Sequence, residues 1–403
     1  MDAHTKPFLS TWAVTCGAIV ALVGIFNVIV DPYRMLGWNS LKSAAEDDRL
    51  LKAYDVVRAA PKTVLIGGSR VELGIDAGYS AWPTRLRPVY NLGMAGASED
   101  LRFRYLQHVL AGRPIELLVM GLDFDGFLDF SNEVVPIEPA VESRLTVNSD
   151  GSTNPEKQRA FLRDLLRSLS LVELGDSVAT VLANFTNDSG GYVGGDLLMR
   201  QGDVRELSTV GAMLVFGLVD LGQIEGRLQQ RAGVRFDRPM LELRKMLDLC
   251  VSHGTQVILF IHPMHADYLE IWDSIGLWPA YEDWKRQLTA MTYEYSQAHI
   301  HSQISLWDFS GYHSYATESV RRDSRLLKAY TDSSHYTWVV GDAILRQIFG
   351  QSGAQFGTVL TPKNIEGHLA LLREQQQQYR NRQPLDAQRV RILYQGKADT
   401  VRH

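Results

Sequence analysis

The chain has 403 residues, of which 45% are hydrophobic and 22% charged, and its formal net charge is −5. These fractions are ordinary for a globular protein, and the length suits one large domain or two smaller ones. A negative net charge without a long basic stripe argues against a nucleic-acid partner. The only cysteines, Cys16 and Cys250, exclude a disulfide framework.

The first predicted element is an apolar segment near the N-terminus. Phe8 to Val30 is a stretch of 23 residues without a charge, which is long enough to cross a bilayer core of about 30 Å. A cleaved signal peptide is the alternative, but no small-residue cleavage site follows the apolar stretch. We therefore predict a single-pass anchor in a bacterial inner membrane, with residues 1–7 as a short cytoplasmic tail and the bulk of the chain in the periplasm.

Residues 31–60 are predicted to form a juxtamembrane connector, and residues 61–350 the main domain. In that domain, short runs that are apolar throughout alternate with helical segments, which is typical of a parallel sheet covered by helices on both faces. The predicted strands are Val64–Ile66, a run ending at Asn91, Leu117–Met120, Val257–Ile261 and Ile304–Asp308. The predicted helices include Leu101–Leu110, Met240–Ser252, Tyr281–Gln297 and Val339–Phe349. The fold class is therefore predicted to be α/β with a parallel central sheet.

The alternation stops between about 131 and 236. We interpret this stretch as a mainly helical insertion that shapes a substrate cleft or caps the site. Its apolar run Val210–Val219 is too short to span a membrane and fits a buried helix or an interfacial contact. Residues 351–403 are predicted to contain one C-terminal helix, Lys363–Tyr379, followed by a tail.

A candidate nucleophile follows the first predicted strand. In TVLIGGSR (63–70), Gly67 and Gly68 let the backbone turn sharply, so that Ser69 stands exposed at the carboxyl end of the strand. A serine hydroxyl is a weak nucleophile until a neighbouring base takes its proton. By itself, the motif favours a simple structural turn.

A matching acid–base pair lies late in the chain, in TDSSHY (331–336). Asp332 and His335 are three residues apart, so on a loop or a first helical turn the carboxylate can orient the imidazole. The alternative is that Asp332 or Ser333 caps the helix that follows. The pair nevertheless makes Ser69 a credible nucleophile.

Two further segments end strands at the same predicted edge of the sheet. VYNLGMAG (89–96) contains Gly93 and Gly96, either of which has a backbone N–H that can stabilise a developing oxyanion. LLVMGLDF (117–124) places Asp123 at the end of a third strand. These groups are expected close to the serine, because the carboxyl ends of parallel strands meet at one edge.

The order of these motifs resembles the SGNH (GDSL-like) hydrolase superfamily over residues 61–350, without the insertion. The GGSR form and the N-terminal anchor are similar to membrane-tethered members of exopolysaccharide systems, including relatives of alginate O-acetyltransferases. The resemblance implies a three-layer α/β/α, flavodoxin-like fold and esterase or O-acyl transfer chemistry, commonly on acetylated carbohydrate. It also implies four roles: Ser69 as nucleophile, His335 as general base, Asp332 as the carboxylate that orients it, and Gly93 as an oxyanion donor.

The sequence departs from that superfamily around the nucleophile. Gly68 stands where the superfamily has Asp, and Arg70 replaces the usual next residue. Asp123 stands where the third motif has Asn, and a carboxylate cannot donate a hydrogen bond to an oxyanion unless it is protonated. We expect Asp123 to hold Arg70 or the nucleophile loop, which leaves the oxyanion to backbone amides and Arg70.

Four other side chains near this edge are candidates for substrate contact. They are His262 and His265 in FIHPMH, and Trp307 and Tyr312 in LWDFSGYHSY. A bare H-x-x-H with an intervening proline is a poor metal-ligand set, so no metal and no cofactor is predicted. The histidines fit loop or cleft positions, and the two aromatic residues fit either sugar stacking or core packing.

These features predict a membrane-anchored serine esterase or O-acyl(acetyl)transferase that acts on a cell-surface or exported polysaccharide through an acyl-enzyme. The acyl donor is open, as is the choice between water and a sugar hydroxyl as acceptor. The alternative is a catalytically idle SGNH-like scaffold subunit of an exopolysaccharide biosynthesis or export complex, for which Asp123 and the insertion argue. A carbohydrate-binding module is a third interpretation. The expected partners are a carbohydrate polymer, the membrane and exopolysaccharide machinery proteins.

Overall fold

The computed structural model describes residues 5–44, 48–128, 136–185, 192–193, 196–197, 234–319, 327–351 and 356–401. Along them, the strands are β1 Thr63–Gly67, β2 Val89–Gly93, β3 Leu117–Leu122, β4 Tyr192–Val193, β5 Asp196–Leu197, β6 Gln256–Ile261, β7 Ile304–Asp308 and β8 Thr358–Val359. The α-helices are α1 Thr5–Val30, α2 Asp48–Ala59, α3 Ser69–Gly74, α4 Glu99–Gly112, α5 Phe124–Phe127, α6 Pro139–Glu142, α7 Lys157–Ser168, α8 Leu174–Phe185, α9 Asp237–Ser252, α10 Ala266–Ser274, α11 Trp278–Ala298, α12 Trp338–Ile348, α13 Ile365–Arg382 and α14 Pro384–Val401.

Six strands form the central sheet in the order β2-β1-β3-β6-β7-β8. The strands from β2 to β7 in this order are parallel. In contrast, β8 runs antiparallel to β7, with Trp307 opposite Val359 and Asp308 opposite Thr358. The predicted α/β class is confirmed, whereas the prediction of a purely parallel sheet is wrong at this edge. A strand of two residues leaves no apolar run that the sequence could reveal.

Helices cover both faces of the sheet. Along β1 and β3, Ile66 and Leu118 pack with residues of α4, α9 and α11 on one face. The neighbouring residues Leu65 and Val119 pack with residues of α3 and α12 on the other. Successive residues of a strand point to opposite faces, so burial on both sides explains why these strands are apolar throughout.

Helices α3 and α12 cross in close contact because glycines stand where they meet. An added Cβ at Gly341 would overlap the carbonyl oxygen of Gly74, and one at Gly74 would overlap the ring of Tyr336. Helix α3 begins at Ser69, and α12 follows the loop that contains His335. This packing therefore brings two segments far apart in the sequence to the same edge of the sheet.

The predicted connector, residues 31–60, is tied into the domain by a buried lysine. Lys52 on α2 is fully buried, and its Nζ donates to Glu72 Oε1 at 2.7 Å and to the carbonyl oxygen of Gly93. Glu72 on α3 also accepts a hydrogen bond from the N–H of Ala95 at 3.0 Å. Helix α2 therefore supports both α3 and the end of β2.

The predicted insertion, residues 131–236, is described in part. Helices α7 and α8 pack against α1, and the backbone of β5 lies against α3 and β2. The apolar run Val210–Val219 and most of the glycine-rich segment 187–196 lie outside the described residues. The described parts of the insertion therefore reach two places, the N-terminal helix and the surroundings of Ser69.

Beyond β8, the chain forms two packed helices rather than one helix and a tail. Helices α13 and α14 contact each other, and α14 packs against α10. Arg380 Nε donates to Glu270 Oε2 at 2.9 Å, and Arg389 Nη2 donates to Asp267 Oδ2 at 2.9 Å. Both carboxylates are fully buried, so these arginines provide the partners that a buried charge requires.

One helix in the described ranges is long and apolar enough to cross a membrane. It is the segment Phe8–Val30 of α1, with a mean hydropathy of 2.4. This length and composition fit a membrane anchor and a signal sequence alike.

Candidate active site

The structure brings together the three side chains predicted to be catalytic. Ser69 Oγ lies 2.7 Å from His335 Nε2, and His335 Nδ1 lies 2.7 Å from Asp332 Oδ2. If Nδ1–H donates to the carboxylate, the lone pair of Nε2 accepts the hydrogen bond of the serine hydroxyl. This is the arrangement in which a base can take the proton of a serine nucleophile.

A tight loop between two bridged tyrosines holds the acid–base pair. Tyr330 and Tyr336 form an antiparallel bridge at the base of this loop. Within it, Asp332 Oδ1 accepts hydrogen bonds from the backbone N–H groups of Ser334 at 2.7 Å and His335 at 2.8 Å. One carboxylate oxygen therefore fixes the loop while the other orients the imidazole.

Asp332 is ionised at neutral pH. Burial alone would raise the pKa of Asp332, but the hydrogen bond and charge of His335, together with the backbone N–H groups, lower the pKa to about 2.

Helix α12 begins at Trp338, with Thr337 at its cap position. The alternative that Asp332 or Ser333 caps this helix is therefore wrong.

Arg70 joins the nucleophile helix to the acid–base loop. Its guanidinium is buried, and Nε donates to the carbonyl oxygen of Ser334 at 3.0 Å. Nη1 donates to Asp123, and Nη1 and Nη2 donate to the two carboxylate oxygens of Asp125 at 3.1 and 3.2 Å. The expected contact between Asp123 and Arg70 is therefore present, and the guanidinium positions the loop that carries His335.

A second buried arginine completes the charge cluster. Arg102 Nη2 donates to Asp123 Oδ2 at 3.0 Å, and Nη1 donates to Glu99 Oε1 at 2.6 Å. Burial raises the pKa of Asp123, whereas His262, Arg70 and Arg102 lower it, and the net direction is down. Burial itself lowers the pKa of His262 to about 4, so the ring is neutral near neutral pH. The two arginines therefore keep Asp123 ionised, and it cannot donate to an oxyanion.

Arg102 also occupies the space beside the residue that precedes the nucleophile. A Cβ added at Gly68 would lie 3.0 Å from Arg102 Nη2 and 3.4 Å from Asp123 Oδ2. The Asp that the SGNH pattern has at this position would meet the ion pair. Sequence reasoning missed Arg102 and Glu99, because charges on a helix usually face solvent. Their spacing of three residues was the signal available, since such pairs contact each other.

The prediction that Gly93 donates to an oxyanion does not fit the structure. Its N–H donates to Asn91 Oδ1 at 2.9 Å, and its carbonyl oxygen accepts from Lys52. An added Cβ would lie 2.5 Å from the backbone nitrogen of Glu72, so the position needs glycine for close packing against α3. The other candidate, Gly96, is an exposed turn residue with φ of +66°.

His262 lies beneath the site and does not line it. The ring is buried, with Nδ1 3.0 Å from the Tyr336 hydroxyl and Nε2 3.5 Å from Asp123 Oδ1. A Cβ at Gly121 would overlap this ring, so the glycine makes room for it. His262 therefore packs between Tyr336 and Asp123, and its burial contradicts the predicted contact with substrate.

Of the other three substrate-contact candidates, two are buried and the third, Trp307, is half-buried. His265 is buried and caps helix α10. Trp307 stacks on Phe309 with ring centroids 5.7 Å apart, and Tyr312 is buried and donates to Glu270 at 2.8 Å. The burial of His265 and Tyr312 contradicts their predicted contact with substrate, whereas for Trp307 the stacking on Phe309 favours core packing, and contact with a sugar stays a prediction.

Trp338 is a more accessible aromatic side chain close to the acid–base loop. It is the first residue of α12, three residues after His335, and 45% of its surface is exposed. It is not among the sequence-predicted site residues, because the predicted helix begins one residue later. An exposed indole beside a polar site offers a stacking face with an N–H at its edge.

No protein-family model matches this sequence, and no curated protein matches it either. Within the residues that the structure describes, no group of three or more His, Cys, Asp or Glu side chains is arranged to hold a metal ion. Inference about function therefore depends on the motifs and on the geometry of the site.

Proposed function

We propose that the protein is a serine esterase or O-acyltransferase of SGNH type, with Ser69 as nucleophile, His335 as general base and Asp332 as its orienting carboxylate. The observation that carries the proposal is the continuous chain from Ser69 Oγ through His335 to Asp332, with both contacts at 2.7 Å. The side chains of His335 and Asp332 are 23% and 15% exposed, so a substrate can reach the hydroxyl.

In the proposed reaction, Ser69 Oγ attacks the acyl carbon while His335 Nε2 takes the hydroxyl proton. The tetrahedral intermediate then collapses, the bond to the leaving alcohol breaks, and His335 returns the proton to that alcohol. Water or a second hydroxyl, deprotonated by the same nitrogen, then attacks the acyl carbon, the bond to Ser69 Oγ breaks, and His335 returns the proton to Ser69. Asp332 stabilises the imidazolium that forms in each half-reaction.

A backbone donor and the charge of a nearby side chain can stabilise the oxyanion in this scheme. Ser69 is the first residue of α3, where a backbone N–H has no partner within the helix. Arg102 Nη2 lies beside Gly68, and its charge would add an electrostatic contribution in a partly buried site. This pair would replace the superfamily's glycine and asparagine donors.

The sheet supports the proposed family and layout. The parallel strands follow the order β2-β1-β3-β6-β7, which corresponds to a flavodoxin-like arrangement, and ligands in such folds bind where the strand order reverses. Ser69 follows β1, at that reversal. We further propose a carbohydrate substrate, since Trp338 offers a stacking face, and a periplasmic site held at the membrane by α1.

The direct test is hydrolysis of an aryl acetate by the full-length protein in detergent. We expect Ser69→Ala to abolish product release and Ser80→Ala, at an exposed serine in the same region, to retain it. Equal slow release by wild type and Ser69→Ala would remove the enzymatic proposal for this substrate class.

A second candidate is an idle SGNH-like scaffold in an exopolysaccharide complex. It is favoured by one observation: Asp123 is ion-paired and the Gly93 N–H is engaged, so two positions that donate in the superfamily do not donate here. In a producing cell, the scaffold predicts that Ser69→Ala leaves polymer acetylation unchanged. The enzyme predicts that the same variant removes it.

A further inference from the structure

The last turns of α1 are built into the domain. Asn27 is fully buried, and its Nδ2 donates to the carbonyl oxygen of Ser170 at 2.9 Å. A Cβ at Gly24 would lie 3.1 Å from the carbonyl oxygen of Leu169, so the two backbones nearly touch. At a rise of about 1.5 Å per residue, Gly24 lies about 9 Å before Val30 along the helix. The insertion therefore meets α1 within its apolar stretch, not beyond it.

Next to this contact, the insertion exposes large apolar side chains. Five of them are each more than half exposed: Leu162 and Leu166 on α7, Leu171 and Val172 in the following turn, and Phe185 at the end of α8. Exposed isoleucines of α1, Ile25 and Ile29, continue the surface. On soluble proteins, a large exposed apolar patch usually marks a site of protein or membrane contact. The exposed side chains listed above therefore indicate an apolar environment around this part of the molecule.

Charged side chains lie beside the leucines on α7. Arg159, Arg163 and Arg167 recur every four residues and are at least half exposed, although each also pairs with a nearby carboxylate, of Glu156, Asp164 and Glu173 respectively. The third side of the helix faces the domain, where the buried Asp164 pairs with Arg144 at 2.7 Å. An apolar face flanked by basic residues is typical of a helix that lies in a membrane interface.

We propose that α7, the turn 171–173 and α8, together the membrane-side hairpin, lie in the interface of the bilayer that α1 crosses. The five apolar side chains would contact acyl chains, and the three arginines would contact anionic phosphates. The depth of about 9 Å matches the burial of interfacial helices, which is roughly 5–10 Å. This inference rests on α1 being a membrane anchor and is independent of catalytic activity.

The hairpin would hold the domain in a fixed orientation. Its helices are bonded to the segment that follows α1: Tyr33 donates to Asp176, and Asn184 accepts from the Lys42 N–H at 3.1 Å. The domain would therefore be fixed against the bilayer surface rather than suspended on a loose tether. A substrate would then have to reach Ser69 close to the membrane.

The test places an environment-sensitive NBD fluorophore on the full-length protein in vesicles of phosphatidylethanolamine and phosphatidylglycerol. Cys16→Ser removes one native thiol, and Cys250 is fully buried. Labels are attached at Leu166→Cys or Val172→Cys, and, as controls, at Ile300→Cys or Leu371→Cys, which are exposed apolar positions on other elements. Circular dichroism and the unfolding midpoint establish that each variant is folded.

We expect blue-shifted emission at the first two positions, with quenching by doxyl-labelled lipid several-fold stronger than at the controls. Labels at 166 and 172 that are quenched by aqueous iodide as readily as the controls would overturn the proposal. Blue-shifted labels that doxyl lipid does not quench would also overturn it, because they would indicate a protein cover such as a second copy of the chain. Loss of esterase activity would affect none of these results.

Discussion

At the carboxyl edge of the sheet, charged side chains are buried, whereas on the membrane-side hairpin leucines are exposed. Arg70, Arg102 and Asp123 are almost inaccessible and pair with one another, while Leu166 and Val172 have no such cover. Buried charge and exposed apolar surface both cost free energy in a soluble protein. Under the two proposals, each region offsets this cost through something outside the protein: a reacting ester at the edge of the sheet, and a lipid bilayer at the hairpin.

The largest expected effect is that of Asp332→Asn. The amide would donate to His335 Nδ1, so that Nε2 carries the proton and cannot accept one from Ser69, and kcat should fall by about 10⁴-fold. Aryl acetate hydrolysis measures it, with Asp150→Asn in an exposed loop as the control. A loss of only a few-fold would show that Asp332 does not orient the base.

Arg70→Ala should cause the largest loss of stability. It would leave Asp125 without its cation and Asp123 with Arg102 alone, and breaking a buried pair costs about 3–5 kcal/mol of unfolding free energy. Denaturant unfolding measures the loss, with Arg85→Ala at an exposed position as the control. An Arg70→Ala variant as stable as the control would contradict the role of the cluster.

Glu99 should make stability depend on pH. Burial raises its pKa to about 7, although Arg102 opposes the shift. The pKa of Glu99 is higher in the folded than in the unfolded state, so the protonated side chain stabilises the fold. This contribution to the free energy of unfolding is fully present below about pH 4.5 and is lost as the pH rises through about 7. Between about pH 5 and pH 8, the free energy of unfolding of the wild type should fall by about 3 kcal/mol because of Glu99, and Glu99→Gln should remove this fall. Denaturant unfolding at both pH values measures the effect, with Glu116→Gln at an exposed position as the control. The same change in unfolding free energy with pH in wild type and Glu99→Gln would exclude the role of Glu99.

The smallest expected effect concerns the arginines of the membrane-side hairpin. Replacing Arg159, Arg163 and Arg167 by Gln should weaken attraction to anionic lipid by about 1 kcal/mol per residue. A label at Leu166→Cys should then become more accessible to iodide in phosphatidylglycerol vesicles, with little change in phosphatidylcholine vesicles. Arg113→Gln, at an exposed position just after α4, is the control. An equal change in iodide accessibility in both kinds of vesicle would show that the arginines do not interact with anionic lipid, which would leave only the apolar contact of the hairpin.

The sequence predicted those parts of the fold that leave a local pattern. Runs that are apolar throughout revealed β1, β3 and β6, because burial on both faces forbids polar residues. Strand β8 has only two residues and therefore gave no such signal. For Trp307 and Tyr312, the sequence could not decide between contact with a sugar and packing in the core, because aromatic residues suit both. The insertion was expected at the site, and β5 does lie against α3 and β2, whereas the packing of α7 and α8 on α1 was not predicted. The sequence does not show which carbonyl oxygen the side chain of Asn27 will contact.

The site was predictable where one residue type dictates the chemistry. Ser69, Asp332 and His335 stood out because a nucleophile, base and carboxylate form a recognisable set. Gly93 was misjudged, because a glycine required for close packing has the same sequence signature as one that donates to an oxyanion. Arg102 was missed, since only its neighbours in space reveal that it is buried.

The most direct test of the central claim is covalent labelling of the full-length protein by an aryl organophosphonate, mapped by mass spectrometry. We predict an adduct on the peptide that contains Ser69, formed rapidly in the wild type, strongly slowed in His335→Gln and absent in Ser69→Ala. A wild-type protein that stays unlabelled, or one that is labelled at the same rate as His335→Gln, would contradict the account.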